Sequence, residues 1–251
     1  LTVCRQEGGA AMMAKAYGKL TGRPGICMVT RGPGATNACP GLHIARHDST
    51  PMILLIGQVE RSMRGREAFQ EIDYRAFLGP LTKWVDEIDD PSRIPEFLSR
   101  AFHAATSGRP GPVALALPED MLTQRASVPA GKRYQLIESA PVPEDFERFQ
   151  ELLARAERPL VVLGGSRWGQ ASVDRIGRFA EAFSLPVAVS FRRQDLFPST
   201  HSHFIGDLGV GSNPRLLEYA GQCDFILLIG GRLSELTSQG YTLLSIPCPT
   251  Q

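Results

Sequence analysis

The chain has 251 residues, 43% of them apolar and 21% charged, a folded rather than a disordered composition, and at ~150 residues per domain its length predicts two domains. Its 27 Lys and Arg balance 26 Asp and Glu to a formal net charge of +1, which leaves no basic face for nucleic acid or an anionic membrane. No apolar run approaches the ~20 residues needed to span a bilayer, and the longest, residues 51–57 and 225–230, have the length of buried strands.

Strand-like and helix-like segments alternate along the chain. Residues 1–4 read as a strand. Residues 7–20, rich in Ala, Met and Lys, read as a helix that stops at Thr21-Gly22. A strand at 25–30 leads through the turn Arg31-Gly-Pro-Gly34 to a helix from Ala35 to about His47. A strand at 52–56, a polar loop with several arginines at 58–70, and a short strand at 81–88 follow. Pro91 opens a helix that runs to Ser107 and stops at Gly108, and 112–117 is an apolar strand. Short apolar runs without alternation, separated by helices, predict a parallel sheet covered on both faces. That is the first domain, residues 1–120. Residues 121–143 lose periodicity and carry Pro129, Gly131, Pro141 and Pro143, as a linker would. The second domain, residues 144–251, repeats the pattern. It has a helix at 144–156, a strand at 160–163, the turn Gly164-Gly165-Ser166, a helix at 171–183 and a strand at 187–190. After an irregular stretch come a helix at 214–220 and a strand at 225–229. The predicted fold class is α/β, with two doubly wound parallel-sheet domains.

Four motifs sit at or after the carboxyl ends of strands, where open α/β sheets bind ligands. In Arg5-Gln-Glu-Gly-Gly-Ala10, Glu7 is either a functional carboxylate or one that only complements a helix dipole. In Thr30-Arg-Gly-Pro-Gly-Ala-Thr-Asn37, free amides at a helix start can face a ligand, or the glycines only turn the chain; without a Lys it is no phosphate loop. Ala68-Phe-Gln-Glu71 follows the arginine-bearing loop, and Leu163-Gly-Gly-Ser-Arg-Trp-Gly169 has the look of a dinucleotide turn, with Gly230-Gly231 as its later counterpart. Histidines 43, 47, 103, 201 and 203 lack a triad partner at any telling spacing, and the His43/His47 pair reads as surface or packing. Five cysteines with no Cys-x-x-Cys predict reduced, mostly buried thiols in a cytoplasmic protein, without a zinc site; no signal-peptide pattern opens the chain.

Taken in order, these strings resemble one family. Gln6-Glu-Gly-Gly-Ala10, Gly32-Pro-Gly-Ala-Thr-Asn37, Asp48-Ser-Thr-Pro-Met-Ile-Leu-Leu-Ile-Gly-Gln-Val59 and Ala68-Phe-Gln-Glu71 are similar to thiamine-diphosphate enzymes of the acetolactate synthase-like group. Thr106-Ser-Gly-Arg-Pro-Gly-Pro-Val113, Leu117-Pro-Glu-Asp120, Arg158-Pro-Leu-Val-Val-Leu-Gly-Gly165 and Cys223-Asp-Phe-Ile-Leu-Leu-Ile-Gly-Gly231 extend the likeness over nearly the whole chain. The resemblance implies a first domain that binds the cofactor's aminopyrimidine ring and a central domain that holds FAD in some members. It also implies a third domain that anchors the diphosphate through Mg²⁺ with a Gly-Asp-Gly motif and a downstream Asn. That motif is not in these residues, the nearest string being Gly206-Asp-Leu-Gly209. The expected natural chain is therefore roughly twice this length, this being its first half trimmed at the front.

Carried onto this sequence, Glu7 is the catalytic carboxyl that hydrogen-bonds the aminopyrimidine nitrogen and passes a proton, so that thiazolium C2 can lose its own. Gly32, Pro33, Gly34 and Asn37 form the loop beside the pyrimidine, and Phe69 and Gln70 reach toward the substrate. No residue of the chain is expected to ligate the metal. The implied substrate is a small-molecule 2-oxo acid, decarboxylated or ligated to an acceptor by a lyase or transferase. The implied partner is a second copy, in a homodimer or homotetramer, with no nucleic acid and no membrane. Two departures argue against FAD and leave acetolactate synthase activity itself open. Gly206-Asp-Leu-Gly-Val-Gly-Ser-Asn213 stands where FAD binders carry a Gly-Met-His-Gly-like string, and Arg232-Leu-Ser-Glu235 where they carry an Arg-Phe-Asp-Asp-like one. The alternative is a non-catalytic flavin- or nucleotide-binding α/β module.

Overall fold

The computed structural model describes residues 1–244, in two compact units, Leu1–Ser139 and Ala140–Gln251. Cys248 lies outside the described residues.

The first unit is one four-stranded sheet with helices on both faces. Its elements in chain order are α1 (Glu7–Thr21), β1 (Gly25–Val29), α2 (Pro33–His47), β2 (Met52–Gln58), α3 (Tyr74–Leu78), β3 (Trp84–Glu87), α4 (Ile94–Thr106), β4 (Pro112–Pro118) and α5 (Glu119–Leu122). The spatial order is β1-β2-β4-β3, and every pairing is parallel. Neighbouring residues of a strand point to opposite faces, so a sheet covered on both sides needs apolar residues at every position. The Met52–Gln58 strand meets that need. Met52, Leu54 and Ile56 pack under the small residues Ala11 and Ala14 of α1 and Ala35, Ala38 and Ala45 of α2. Ile53, with Val113 and Leu115 of β4, packs instead under Phe97, Ala101 and Ala105 of α4. Each such aliphatic side chain contributes about 1.5–3 kcal/mol on full burial. The alanines let α1 and α2 approach closely, which brings the starts of both helices side by side.

Residues 1–4 differ from the expected strand. They pair with no strand, and Leu1 and Val3 are exposed. Extended propensity without a cross-strand partner does not make a strand. The short helix α3 falls between the expected loop at 58–70 and the expected strand at 81–88, where no element was expected, and α5 begins where the first domain was expected to end. Residues 123–142, between α5 and α6, hold no helix or strand.

The second unit holds α6 (Pro143–Arg155), β5 (Pro159–Leu163), α7 (Gln170–Ala182), β6 (Val187–Ser190), β7 (Phe204–Leu208), α8 (Pro214–Gly221) and β8 (Phe225–Ile229). The order is β7-β6-β5-β8, again all parallel. Val161, Leu163, Val187 and Val189 face α7, while Leu160, Val162 and Ala188 face Leu216 and Ala220 of α8. β7 lies within the stretch that read as irregular. Gly206 (φ 126°) and Asp207 interrupt its apolar run, and its register against β6 shifts between Val187 and Ala188. At the switch point between β5 and β8 the two glycine turns lock together: a Cβ on Gly165 would lie 1.7 Å from the Gly230 carbonyl oxygen. The Trp168 indole N–H donates to the Gly164 carbonyl at 2.8 Å. Gly164 and Gly165 thus serve the close approach of two strand ends.

The expectation of mostly buried thiols is corrected. Among the described residues only Cys27 is buried, while Cys4, Cys39 and Cys223 are half-buried, and all four are free. Cys4 sits in the unpaired opening segment, and Cys39 and Cys223 lie on or just beyond helices rather than inside the sheet. Burial pushes the thiols of Cys27 and Cys223 up to about 11, so both stay protonated at neutral pH.

Candidate functional site

The site lies at the carboxyl ends of β1, β2 and β4. β1 ends at Val29, and the chain turns through Gly32 into α2, with Pro33 at the first helical position, where a missing N–H costs nothing. Gly32 has φ 55° and ψ −109°, a conformation that side chains rarely adopt. A Cβ there would also stand 2.7 Å from Gln70 Cβ and 2.9 Å from the Gln70 carbonyl oxygen. The turn is therefore built to let the Gln70 segment close over it.

Tyr74, 3% exposed at the start of α3, pins this turn. Its hydroxyl accepts the Gly32 N–H at 2.9 Å and approaches the Gly57 carbonyl oxygen at 3.4 Å. Burial raises the phenol pKa, opposed by the Gly32 N–H bond and by Arg31. Arg31 in turn reaches to β4's end, with Nη1 2.6 Å from Glu119 Oε2.

Glu7 is the first residue of α1. The preceding Gln6 caps the helix, its Oε1 accepting the Gly9 N–H at 2.7 Å. Asn37, one turn into α2, donates Nδ2–H to Glu7 Oε2 at 3.1 Å. No described residue hydrogen-bonds the other oxygen, Oε1.

The sequence-predicted residues thus meet in two pairs along the first turns of α2: Glu7 with Asn37, and Gly32 with Gln70. Pro33 is exposed and Gly34 is buried beneath the turn. Phe69 stands 78% exposed beside Gln70, in contact with no core. Sequence reading missed Tyr74 and the carboxylates that hold the arginine-bearing loop. Arg61 places Nε 2.7 Å from Asp120 Oδ2 and its backbone N–H 3.1 Å from Oδ1. Arg64 pairs with Glu87, and Arg75 with Asp86. Burial works to raise the Asp120 pKa, but the hydrogen bonds from Arg61 outweigh it and hold the carboxyl below its usual range. The arginines in the loop were legible; their partners, Asp120 on α5 and Glu87 on β3, were not.

Comparison with known proteins gives the family. Residues 1–77 match the thiamine pyrophosphate enzyme N-terminal TPP binding domain, and residues 146–249 match the thiamine pyrophosphate enzyme central domain. The chain belongs to the thiamine pyrophosphate enzymes. Among its relatives, the probable acetolactate synthase large subunit of Methanocaldococcus jannaschii is 34% identical over 238 residues, covering 92% of this chain and 40% of that protein. The acetolactate synthase large subunit of Corynebacterium glutamicum is 32% identical, over 92% of this chain and 38% of that protein. The Escherichia coli acetolactate synthase isozyme 3 large subunit is 33% identical, over 98% of this chain and 43% of that protein. The chain spans about two fifths of the length of these curated relatives. Among the described residues, no helix is long and apolar enough to cross a membrane, and no three His, Cys, Asp or Glu form a group able to hold a metal ion.

Proposed function

We propose that this chain supplies the aminopyrimidine side of the active site of a thiamine-diphosphate-dependent, acetolactate synthase-like enzyme that decarboxylates or carboligates a 2-oxo acid. The observation that carries this reading is the Glu7–Asn37 pair. A carboxylate is held by one oxygen at the start of α1, its other oxygen without a hydrogen bond among the described residues, beside the glycine turn that starts α2. These residues fit the pyrimidine ring: the Glu7 oxygen that Asn37 leaves unbonded takes the ring nitrogen, and Pro33, Thr36 and Asn37 are exposed at the start of α2 beside it. When bound, thiamine diphosphate supplies a thiazolium carbon that adds to the substrate carbonyl and holds the electron pair left as CO₂ departs. Glu7 holds and moves the proton at the ring nitrogen. Asn37 keeps the Glu7 carboxylate turned toward it. Gly32, Pro33 and Gly34 shape the wall beside the ring, and Phe69 and Gln70 stand on the substrate side.

In this reading residues 1–120 form the pyrimidine-binding domain, 121–143 a linker and 144–251 the central domain. Mg²⁺ and the diphosphate are held by a domain outside these residues. The departures at 206–213 and 232–235 support a central domain without FAD. The apolar stripe Met13, Tyr17 and Leu20, exposed at i, i+4 and i+7 on α1, supports a homo-oligomer, and four free thiols among the described residues support a cytoplasmic location.

The test uses the natural full-length protein with pyruvate as the probe 2-oxo acid. CO₂ release that requires both thiamine diphosphate and Mg²⁺, from a colourless preparation that sediments above the monomer mass, is the expected result. Absence of thiamine-diphosphate-dependent CO₂ release from pyruvate and from a panel of other 2-oxo acids would overturn the reading, and stoichiometric flavin would overturn its FAD clause.

A further inference from the structure

Residues 59–73, between β2 and α3, make a connection longer than the two to six residues that usually join a strand to a helix in such folds. The loop presents Phe69 to solvent, so burial of that ring does not fix its place. Its backbone is not relaxed either: Gly65, Glu67 and Gln70 have φ of 68°, 57° and 64°. Something must hold this shape against the cost of two non-glycine residues in the left-handed region.

Glu71 does so. One oxygen, Oε1, accepts the Gly65 N–H at 2.7 Å, and the other, Oε2, accepts the Ala68 N–H at 3.2 Å. The Glu71 N–H donates back to the Ala68 carbonyl at 2.9 Å. The half-buried carboxylate thus ties together the backbone donors of Gly65 and Ala68. The N–H of Gly65 acts most strongly in holding its pKa down, against partial burial, with those of Ala68 and Arg66 and the Arg64 charge adding to it. The chain between Ala68 and Glu71 is Phe69-Gln70, and Gln70 rests on the Gly32 turn. Below it, Gln58 Nε2 donates to the Ile72 carbonyl at 3.0 Å, which fastens the loop's end to β2.

We propose that Glu71 is a positioning residue: its carboxylate folds residues 65–70 so that Phe69 and Gln70 stand over the Gly32 turn, on the side where substrate enters. The assignment rests on the proposed roles of Phe69 and Gln70. Glu71 touches neither cofactor nor substrate, and it acts through the place it gives those two side chains. A displacement near 1 Å of a group that orients a reactant costs on the order of 10²-fold in rate.

The experiment is steady-state kinetics of the full-length protein with pyruvate, for Glu71→Ala, for Phe69→Ala with Gln70→Ala, and for the triple variant. Melting temperature and deuterium exchange at C2 of bound thiamine diphosphate are measured on each. Glu71→Ala should lose roughly 10²-fold in kcat/KM while melting temperature and C2 exchange stay near wild type, because Glu7 does not depend on the loop. In the triple variant the Glu71 change should add little, since its targets are already gone. Where Glu71→Ala does not fold, Glu71→Gln, which keeps the size and one acceptor oxygen, is read in its place. Wild-type kcat/KM in Glu71→Ala, a loss additive with the Phe69/Gln70 change, or unfolding of both Glu71 variants would each overturn the proposal. Wild type without activity would instead overturn the reading of the enzyme itself.

Discussion

Tyr74 holds two backbone groups of the site on one hydroxyl. In Tyr74→Phe the ring still fills its place, but the buried Gly32 N–H loses its acceptor. A buried donor left unpaired costs about 1–3 kcal/mol. Urea unfolding of the variant should show a loss in that range with an unchanged m-value, together with weaker thiamine diphosphate binding. Stability equal to wild type would mean that the Gly32 amide is satisfied without the phenol. Gly32 itself was legible in the sequence, because two glycines around a proline between an apolar run and a helix mark a tight turn. Its dependence on Tyr74 was not. The contact spans residues 32 to 74, and a hydroxyl reaching a distant amide leaves no periodic trace. Glu7 lies between these cases. Its place at a helix start was legible, whereas its pairing with Asn37 needed the close crossing of α1 and α2.

At the scale of elements, the long runs were the legible ones. β2, β4, β5, β6 and β8 are apolar but for the last residues of β2 and β6, and each stands within two residues of its expected bounds. What stayed hidden was short or interrupted. α3 is a single turn and a half, and β7 carries a glycine and an aspartate on an edge where all its side chains but Leu208 are only half-buried. The loop after β2 is held mainly by charge, which gives a pH prediction. Glu71 and Asp120, and Asp224 in the second unit, which accepts the N–H groups of Glu157 and Arg158 at 2.7 and 2.9 Å, all have pKa values lowered by folding. A carboxylate with a lower pKa in the folded state binds fewer protons there than in the unfolded chain. Its stabilisation is complete above the ordinary carboxylate values near ~4 and is lost as pH falls through the lowered folded values. Melting temperature followed from pH 7 to 2 should be insensitive to these groups down to about pH 5 and fall steeply below about pH 4. Arg61→Ala, which removes the strongest pairing of Asp120, should make that fall shallower. A profile flat through pH 3 would show that these carboxylates bring no net stabilisation.

At the scale of the molecule, two parallel sheets followed from the absence of alternation in the strands, and the family followed from four motifs in a fixed order. Neither needed the details that distance hides. The function turns on one carboxyl group. In a helix-dipole role, Glu7 would matter to stability by under about 1 kcal/mol and to chemistry not at all. In the proposed role it carries a proton. The most direct measurement is the rate of deuterium exchange at C2 of thiamine diphosphate bound to the full-length protein, wild type against Glu7→Gln, with melting curves of both. Gln keeps the size and the Asn37 contact but cannot pass the proton. Exchange should slow by roughly 10²–10⁴-fold, about 3–5 kcal/mol of barrier, with the melting temperature little changed. Exchange at the wild-type rate in a folded Glu7→Gln protein would contradict the account.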